Sequence, residues 1–412
     1  MMVVDILKEL IRIDTRSSCA NETEAAVYLK NICDRYNIDN EIIEPVKGKG
    51  SIVAHIPGRD KNKGELLLLS HLDTAEYGDL GKWKFHPCSA AEYKGRIFGR
   101  GTIDCKGLVS LWLSMLINIR ERNVLPERGI IFAAVSDEEN GGKYGMEYLV
   151  ENNQLIRNCW YVIGEGGGFP IKLGNTTYFT CQNAEKGKRS YQIDNAEMDD
   201  VEECKETYVG EPVKALIKGL FATKIYNMAL VVFLLKQSLM RSNKRRIDVN
   251  SLLCSSYNQN RTRQKAMLNI SYLPGTNEKA IERILKNTGL NNYDIRLTAD
   301  IPPSHTAVDT HLYDIIAGET AKQYPKSKVI PYTTPGYSDN RFLRDRGKVV
   351  YGYFPLSLED ELSGIHGYNE HISISGLLDA CNLMYNVLTV FCGIDNNIPK
   401  GYNYTKRSNP GG

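Results

Sequence analysis

None of the ten cysteines forms a CxxC pair, and their spacing is irregular. That pattern excludes a zinc ribbon, and a disulfide scaffold does not suit a chain of 412 residues. Reduced thiols in a cytoplasmic protein are expected instead. Long apolar runs are also missing. The most apolar one, Met228 to Leu235, is far too short to span a bilayer, which takes about 20 residues. The stretch Met1 to Glu9 carries acids early and lacks the apolar core of a signal peptide. Charge of one sign is scarce too: 51 Lys and Arg against 49 Asp and Glu leave +2. So small a net charge attracts neither nucleic acid nor an anionic membrane, and neither is expected as a partner. Lys244-Arg245-Arg246 reads as a solvated loop. Histidine is thin as well: there are seven, and none lies between His86 and His305.

Single cores stop growing at about 250–300 residues, so the chain has room for two domains. Asn21 followed by Glu24 resembles a capping box opening a helix through about Tyr36. Leu66–Leu69, Ile130–Val135 and Tyr161–Ile163 are short apolar runs of the buried-strand kind. Leu108 to Ile119 reads as a helix with a wide apolar face. Strands alternating with helices predict an α/β fold, a mostly parallel sheet covered by helices. The pattern changes from about Glu185 to Ile301. There the reading is a short strand, a helix Val213–Leu239, a polar stretch Arg241–Arg263, a strand near Met267–Ile270 and a helix Asn277–Lys286. This segment is expected to be a smaller α+β domain, residues 185–301, inserted between residues 1–184 and 302–412 of the first domain. The α/β pattern returns with a helix after Asp309, a strand Val349–Phe354 and a helix Ser375–Phe391. The tail after Gly393 is expected to be loosely ordered.

Histidines and acids follow the apolar runs. Leu66–Leu69 leads to His71 and Asp73, Ile130–Val135 to Asp137, Glu138 and Glu139, and Tyr161–Ile163 to Glu165. Sites in open parallel sheets lie just beyond the carboxyl ends of the strands. Three such ends would deliver these side chains into one crevice. Asp104 stands between Gly99-Arg100-Gly101 and Gly107, on a tight turn before a helix, and His366 lies in Ile365-His366-Gly367. Singly, each has a plainer reading, since strand-end carboxylates are usually solvated and a lone His is usually a surface or core residue. All of them in this order, with glycines around them, point to bound metal.

The motifs are Ser70-His71-Leu72-Asp73-Thr74, the stretch Gly99 to Gly107, Asp137-Glu138-Glu139-Asn140-Gly141-Gly142, Gly164-Glu165-Gly166-Gly167 and His366-Gly367-Tyr368-Asn369-Glu370. Together they resemble the M20 family of di-zinc peptidases and amidohydrolases. That group includes acetylornithine deacetylase, succinyl-diaminopimelate desuccinylase, aminoacylase and carboxypeptidase S. Trp83 to Pro87 and Pro335 to Arg341 lean towards the carboxypeptidase S branch. The resemblance implies that Asp104 bridges two divalent ions, with His71 and Glu165 completing one site and Glu139 and His366 the other. Imidazole and carboxylate without thiolate suit Zn2+, with Co2+ or Mn2+ able to use the same set. Two residues past His71, Asp73 can accept the second ring N–H and fix the tautomer. Adjacent glutamates aim apart, so one binds metal while the other faces the water; the resemblance makes Glu138 the general base and Glu139 the ligand. It also assigns Arg341, with Gly336 before it, to a substrate carboxylate, and Asn260 to a substrate contact. Cys105 reads as a spectator.

The expected activity is metal-dependent hydrolysis of a peptide or N-acyl-amino-acid amide bond beside a free carboxylate, through a metal-activated water. The substrate would be a small molecule, and a homodimer joined through the inserted lid domain is compatible with the resemblance. The lid departs from the family pattern. The Gly-His pair usual there is missing, and Ser271-Tyr272-Leu273 replaces an Asp-x-Arg before Pro274-Gly275. Lys188, Arg189, Tyr191 and Asn260 are the candidates to replace the missing histidine as an oxyanion donor. The alternatives are a deacetylase, desuccinylase or aminopeptidase of the same chemistry, or a metal-binding pseudoenzyme.

Overall fold

A computed structural model describes residues 3–194, 256–262, 265–287, 294–334 and 336–394. In chain order its strands are β1 (Asp39–Ile43), β2 (Ser51–Ile56), β3 (Leu66–His71), β4 (Ala91–Tyr93), β5 (Arg96–Phe98), β6 (Ile130–Val135), β7 (Tyr161–Gly164), β8 (Pro170–Leu173), β9 (Thr176–Glu185), β10 (Gly187–Asp194), β11 (Ser256–Thr262), β12 (Lys265–Tyr272), β13 (Asp294–Ile301), β14 (Ser304–His305), β15 (Ser327–Thr334), β16 (Val349–Gly352) and β17 (His371–Ser373). Three helices matter most for the site: α1 (Val3–Arg12), α2 (Glu22–Arg35) and α3 (Lys106–Glu121).

The main sheet runs β1-β2-β6-β3-β7-β16-β9-β14, with β8 and β15 also on β9. Its centre is parallel: β3 pairs with β6 on one side and β7 on the other, and β7 with β16. The flanks β1-β2-β6 are antiparallel. Alternate residues of the central strands enter opposite cores. Leu66, Leu68, Ile130, Phe132 and Ala134 pack with α1, α2, α3 and the helix Ile374–Cys392. Leu67, Leu69, Ile131, Ala133 and Val135 pack with Met146, Leu149, Ile156 and Leu343. Burial on both faces explains why these strands are unbroken apolar runs. Helix α3 is covered nearly all round, and its Trp112 indole N–H donates to the Leu69 carbonyl at 3.3 Å.

A second, antiparallel sheet, β11-β12-β10-β13, lies between Gly187 and Ile301 and is accompanied by the helix Glu278–Asn287. Its two links to the main sheet sit side by side, because β14 pairs with the end of β9 (Ser304 with Glu185). A third sheet, β17-β5-β4, sets His371 opposite Phe98. That pairing carries the segment before β17 to the turn after β5.

Several local expectations need correction. Asn21 starts α2 without a side-chain cap bond; its amide donates to the Glu24 carboxylate at 2.6 Å, so the capping box is not formed. Part of the polar stretch Arg241–Arg263 is strand β11, while the helix read over Val213–Leu239 and the tail after Ile394 lie outside the described residues. The strand at Val349 stops at Gly352, short of Phe354. Among the described residues one helix, Ile374–Cys392, is long and apolar enough to cross a membrane. Here it is a core element, with Leu377, Leu383, Met384 and Leu388 wholly buried.

Candidate metal centre

His71 is the last residue of β3, Glu165 follows β7, and Glu138 and Glu139 open a short 3-10 turn after β6. The parallel register brings these three ends together. Asp104 comes from the turn between β5 and α3, and His366 from the loop before β17. The Asp104–Cys105 peptide is cis.

The two oxygens of Asp104 face different imidazoles. Oδ1 lies 3.0 Å from His71 Nε2, and Oδ2 lies 3.0 Å from His366 Nε2. Glu165 approaches His71 Nε2 at 3.6 Å, and Glu139 approaches His366 Nε2 at 3.0 Å. Ligands bound tetrahedrally about 2.0–2.2 Å from a zinc ion stand roughly 3.3–3.6 Å apart, so both groups are near the spacing that one cation each requires. The donors of Asp104, Glu139 and His366 all lie within 4.8 Å of one another, as do those of His71, Glu165 and Cys105. Cys105 is not an anionic donor, since burial pushes its thiol up to about 12. Its sulfur accepts the His71 N–H at 3.1 Å, which braces the strand end. The oxygen and nitrogen donors thus fit two divalent cations that share Asp104.

Electrostatics without the cations points the same way. Burial opposes a charged His71, yet the carboxylates around it, Glu165, Asp104 and Asp73, carry its pKa well above 6.5. His366, bonded to Asp104 and then Glu139, rises to about 10. Burial would raise Asp104, but His366 and His71 outweigh it and hold the carboxyl far below its usual range. Burial, followed by the charge of Glu165, pushes Glu138 well above 4.5. Protons on the two imidazoles stand in for the positive charge this cluster of carboxylates requires.

The model of peptidase family M20/M25/M40 matches residues 67–390. The chain belongs to this family. A probable succinyl-diaminopimelate desuccinylase of Staphylococcus aureus (strain Mu50 / ATCC 700699) is 29% identical over 186 residues, 45% of this chain and 45% of its own. The match therefore spans about half the length of such curated relatives. An M20 family metallo-carboxypeptidase from Sulfolobus solfataricus superposes with a TM-score of 0.69 at 18% identity, covering 95% of this chain and 99% of that one. Human carnosine dipeptidase 1 gives 0.65 at 15% identity, covering 95% and 97%. At these identities the likeness of the two structures is one of fold.

In this M20 member Asp73 works differently from the reading above. The His71 Nδ1–H meets the Asp73 main-chain carbonyl at 2.9 Å, with the carboxylate farther off at 3.6 Å. Strand β3 has ended before Asp73, so the alternation that would aim its side chain at the ring no longer applies. The carboxylate instead accepts the N–H groups of Glu138 at 3.1 Å and Glu139 at 3.0 Å. It orders the turn that carries both glutamates, while the tautomer of His71 is set by a carbonyl.

Arg341 lies in the short helix Asn340–Arg344, held between the rings of Tyr337 (4.3 Å) and Phe342 (4.5 Å). Its Nη2 donates to the Gly141 carbonyl at 2.8 Å, next to the glutamate turn, and its Nη1 is buried without a partner. Gly336 is exposed, with nothing within 4 Å of where a Cβ would stand, so the fold itself does not demand glycine there. Asn260 lies in β11, but its side chain is outside the described residues. In the second sheet Arg189 is committed to Glu278 and to Asp300 at 3.0 Å, and Tyr191 is buried.

Some site residues were given no role by the sequence, although Asp339 and Asn340 fall within the Pro335 to Arg341 motif. Asn340 Nδ2 donates to the Glu165 carbonyl at 3.1 Å and to Gln182 Oε1 at 2.8 Å, which fixes the backbone of that candidate donor. Asp339 shares a niche with His71, Glu138 and Glu165, and one of its carboxyl oxygens is buried without a partner. Lys49 reaches Asp137, just before the glutamates, at 3.3 Å and the buried Glu22 at 2.7 Å. Nothing in spacing marks these residues, because their partners come from distant segments.

Proposed function

We propose that this M20 chain is a two-metal hydrolase that cleaves an amide bond, in a peptide or N-acyl amino acid, beside a free carboxylate. The observation that carries the reading is the split of Asp104 between two imidazoles, each with a second carboxylate, beside a further glutamate that neither group needs. Two divalent cations held by His71, Glu165, Asp104, Glu139 and His366 would supply Lewis acidity and render a water acidic near neutral pH. Zinc is the cation this donor set suits best, with cobalt and manganese as substitutes.

The chain's own residues do the rest. Glu138 takes the proton of the attacking water and returns it to the leaving amine nitrogen. Asp73 holds the turn of Glu138 and Glu139, whose side chains meet different neighbours, so the base and the ligand do not compete. Arg341 supports the carboxylate preference: it is a half-buried, stacked guanidinium whose Nη1 has no partner, and a guanidinium is suited to carboxylate. The S. aureus relative favours a second substrate reading, an N-succinyl or related N-acyl amine. Pairing of two copies through the second sheet and a cytoplasmic location belong to the same proposal. The location is supported by eight free cysteines among the described residues.

The test is mass-spectrometric screening of protein loaded with zinc, cobalt or manganese against dipeptides, N-acyl amino acids and N-succinyl diamino acids. Release of a free amine from at least one class, abolished by a chelator, is expected. No turnover with any metal on any class would favour a binding role.

A further inference from the structure

Glu370 is fully buried and is not one of the metal donors. Its carboxylate accepts three main-chain N–H groups of the turn that carries Asp104: Gly101 at 3.0 Å, Ile103 at 2.8 Å and Asp104 at 3.2 Å. Its main-chain carbonyl takes the Gly99 N–H at 2.9 Å. The fourth side-chain contact is the buried guanidinium of Arg100 at 2.9 Å. Arg100 in turn donates to the carbonyls of Gly364 at 3.3 Å, Gly367 at 2.7 Å and Glu76 at 3.0 Å, with its guanidinium carbon 5.1 Å from the Trp83 ring centre. Gly364 and Gly367 bracket His366. One buried ion pair therefore grips the Asp104 turn with one partner and the His366 loop with the other.

We infer that Arg100 and Glu370 are positioning residues for one half of the centre, the site of Asp104, Glu139 and His366. The inference rests on the two-metal reading above. The two halves are supported by different means. The His71 side chain is 1% exposed, and the residue is paired in the main sheet opposite Val135. The His366 side chain is 46% exposed, and its backbone stands in the left-handed region at φ 52°. Regular strand pairing resumes only at His371. What places the His366 imidazole against Asp104 Oδ2 is the loop backbone. That backbone is held by Arg100, by Glu370 and by the Asn369 side chain, which accepts the Lys84 N–H at 2.5 Å and donates to the Lys82 carbonyl at 3.2 Å. Asp104 serves both halves, but its Oδ1 side faces a histidine that the sheet already fixes. Loosening the ion pair should therefore cost the His366 site more than the His71 site.

The experiment is a cobalt(II) titration of the full chain by equilibrium dialysis, for wild type, Glu370→Gln and Arg100→Lys. The metal-free melting temperature is recorded for each. Arg100→Lys keeps the buried pair but loses the fork that reaches Gly364 and Gly367, and so covers the case in which Glu370→Gln does not fold. Removing a partner that orients a metal ligand typically costs about 10–100-fold in metal affinity. Wild type is expected to bind two ions. Either folded variant is expected to bind its first ion as wild type does and its second about 10–100-fold more weakly. Two ions bound by a folded variant as tightly as by wild type would overturn the inference and leave the two-metal reading intact, as would equal weakening of both ions. Failure of both variants to fold would reduce the pair to a folding element and also overturn it. A wild type that binds no cobalt would contradict the two-metal reading as well.

Discussion

Asp73, Glu138 and Glu139 divide one task at close quarters. Asp73 ties down two consecutive N–H groups, while the Glu139 side chain meets His366 and Glu138 lines a niche with His71 and Glu165. Substituting Glu138 by Gln preserves that turn and removes the base. Hydrolysis by Glu138→Gln is expected to fall by about 10²–10⁴-fold, with metal content by elemental analysis unchanged. Unchanged turnover would contradict the proton-shuttle role. Arg341→Lys replaces a planar fork with a point charge. KM for substrates with a free carboxylate is expected to rise, while the matching methyl esters respond little; equal effects on acid and ester would mark a structural arginine. The gathering of His71, Asp104, Glu139, Glu165 and His366 was legible in sequence because each follows a strand or a glycine turn, where geometry leaves few options. The orientation of Asp73 was not, because it depends on where β3 stops, and element ends are set by tertiary contacts. Glu370 and Arg100 were visible only as letters within motifs, since their roles come from a pairing across 270 positions.

The elements best read in advance are those buried on both faces. Strands β3, β6 and β7 and helix α3 are continuous apolar segments because cores lie on either side of them. Strand β9 escaped notice for the opposite reason: Thr180, Gln182, Asn183 and Glu185 are buried polar residues, with Thr180 bonded to Phe169, the Asn183 amide donating to Thr306, and Gln182 and Glu185 accepting from the Ser338–Arg344 segment. No apolar run announces such a strand, and the partners of Gln182, Asn183 and Glu185 in Thr306 and Ser338–Arg344 lie more than a hundred residues away. β11 likewise sits in a stretch whose composition alone reads as loop. The glutamate turn closes on Gly142 at φ 75°, where a Cβ would lie 2.4 Å from Asp339 Oδ1 and 2.8 Å from the Phe342 ring. Gly142→Ala is therefore expected to destabilise the protein by at least about 1–2 kcal/mol, the usual cost of a left-handed alanine. A thermal melt of the metal-free protein reads this; an unchanged melting temperature would show that the turn adapts freely.

At the scale of the molecule, one sheet supplies His71 and both glutamate arms, a small sheet brings in Asp104 and His366, and a second sheet stands on two adjacent links beside them. A change in pattern near residue 185 precedes the second sheet, which begins at Gly187, whereas the two links side by side at Glu185 and Ser304 follow only from the pairing of β9 with β14. Protons and cations compete for the shared centre. His366 has a folded-state pKa of about 10 against 6.5 for the free group. Its contribution to the stability of the metal-free protein is thus fully present below about pH 6.5 and is lost as pH rises through 10. Metal affinity should run the other way, rising with pH over the same window, with protons released on binding. Calorimetry in buffers of different ionisation enthalpy would detect that release; its absence at pH 7.5 would mean that the imidazoles are already neutral.

The central claim is that one chain holds two cations across Asp104. Elemental analysis of protein loaded with excess zinc and then desalted tests it most directly. About two zinc ions per chain are expected, with His71→Ala and His366→Ala each losing metal. A content near zero in the folded wild-type protein would contradict the account.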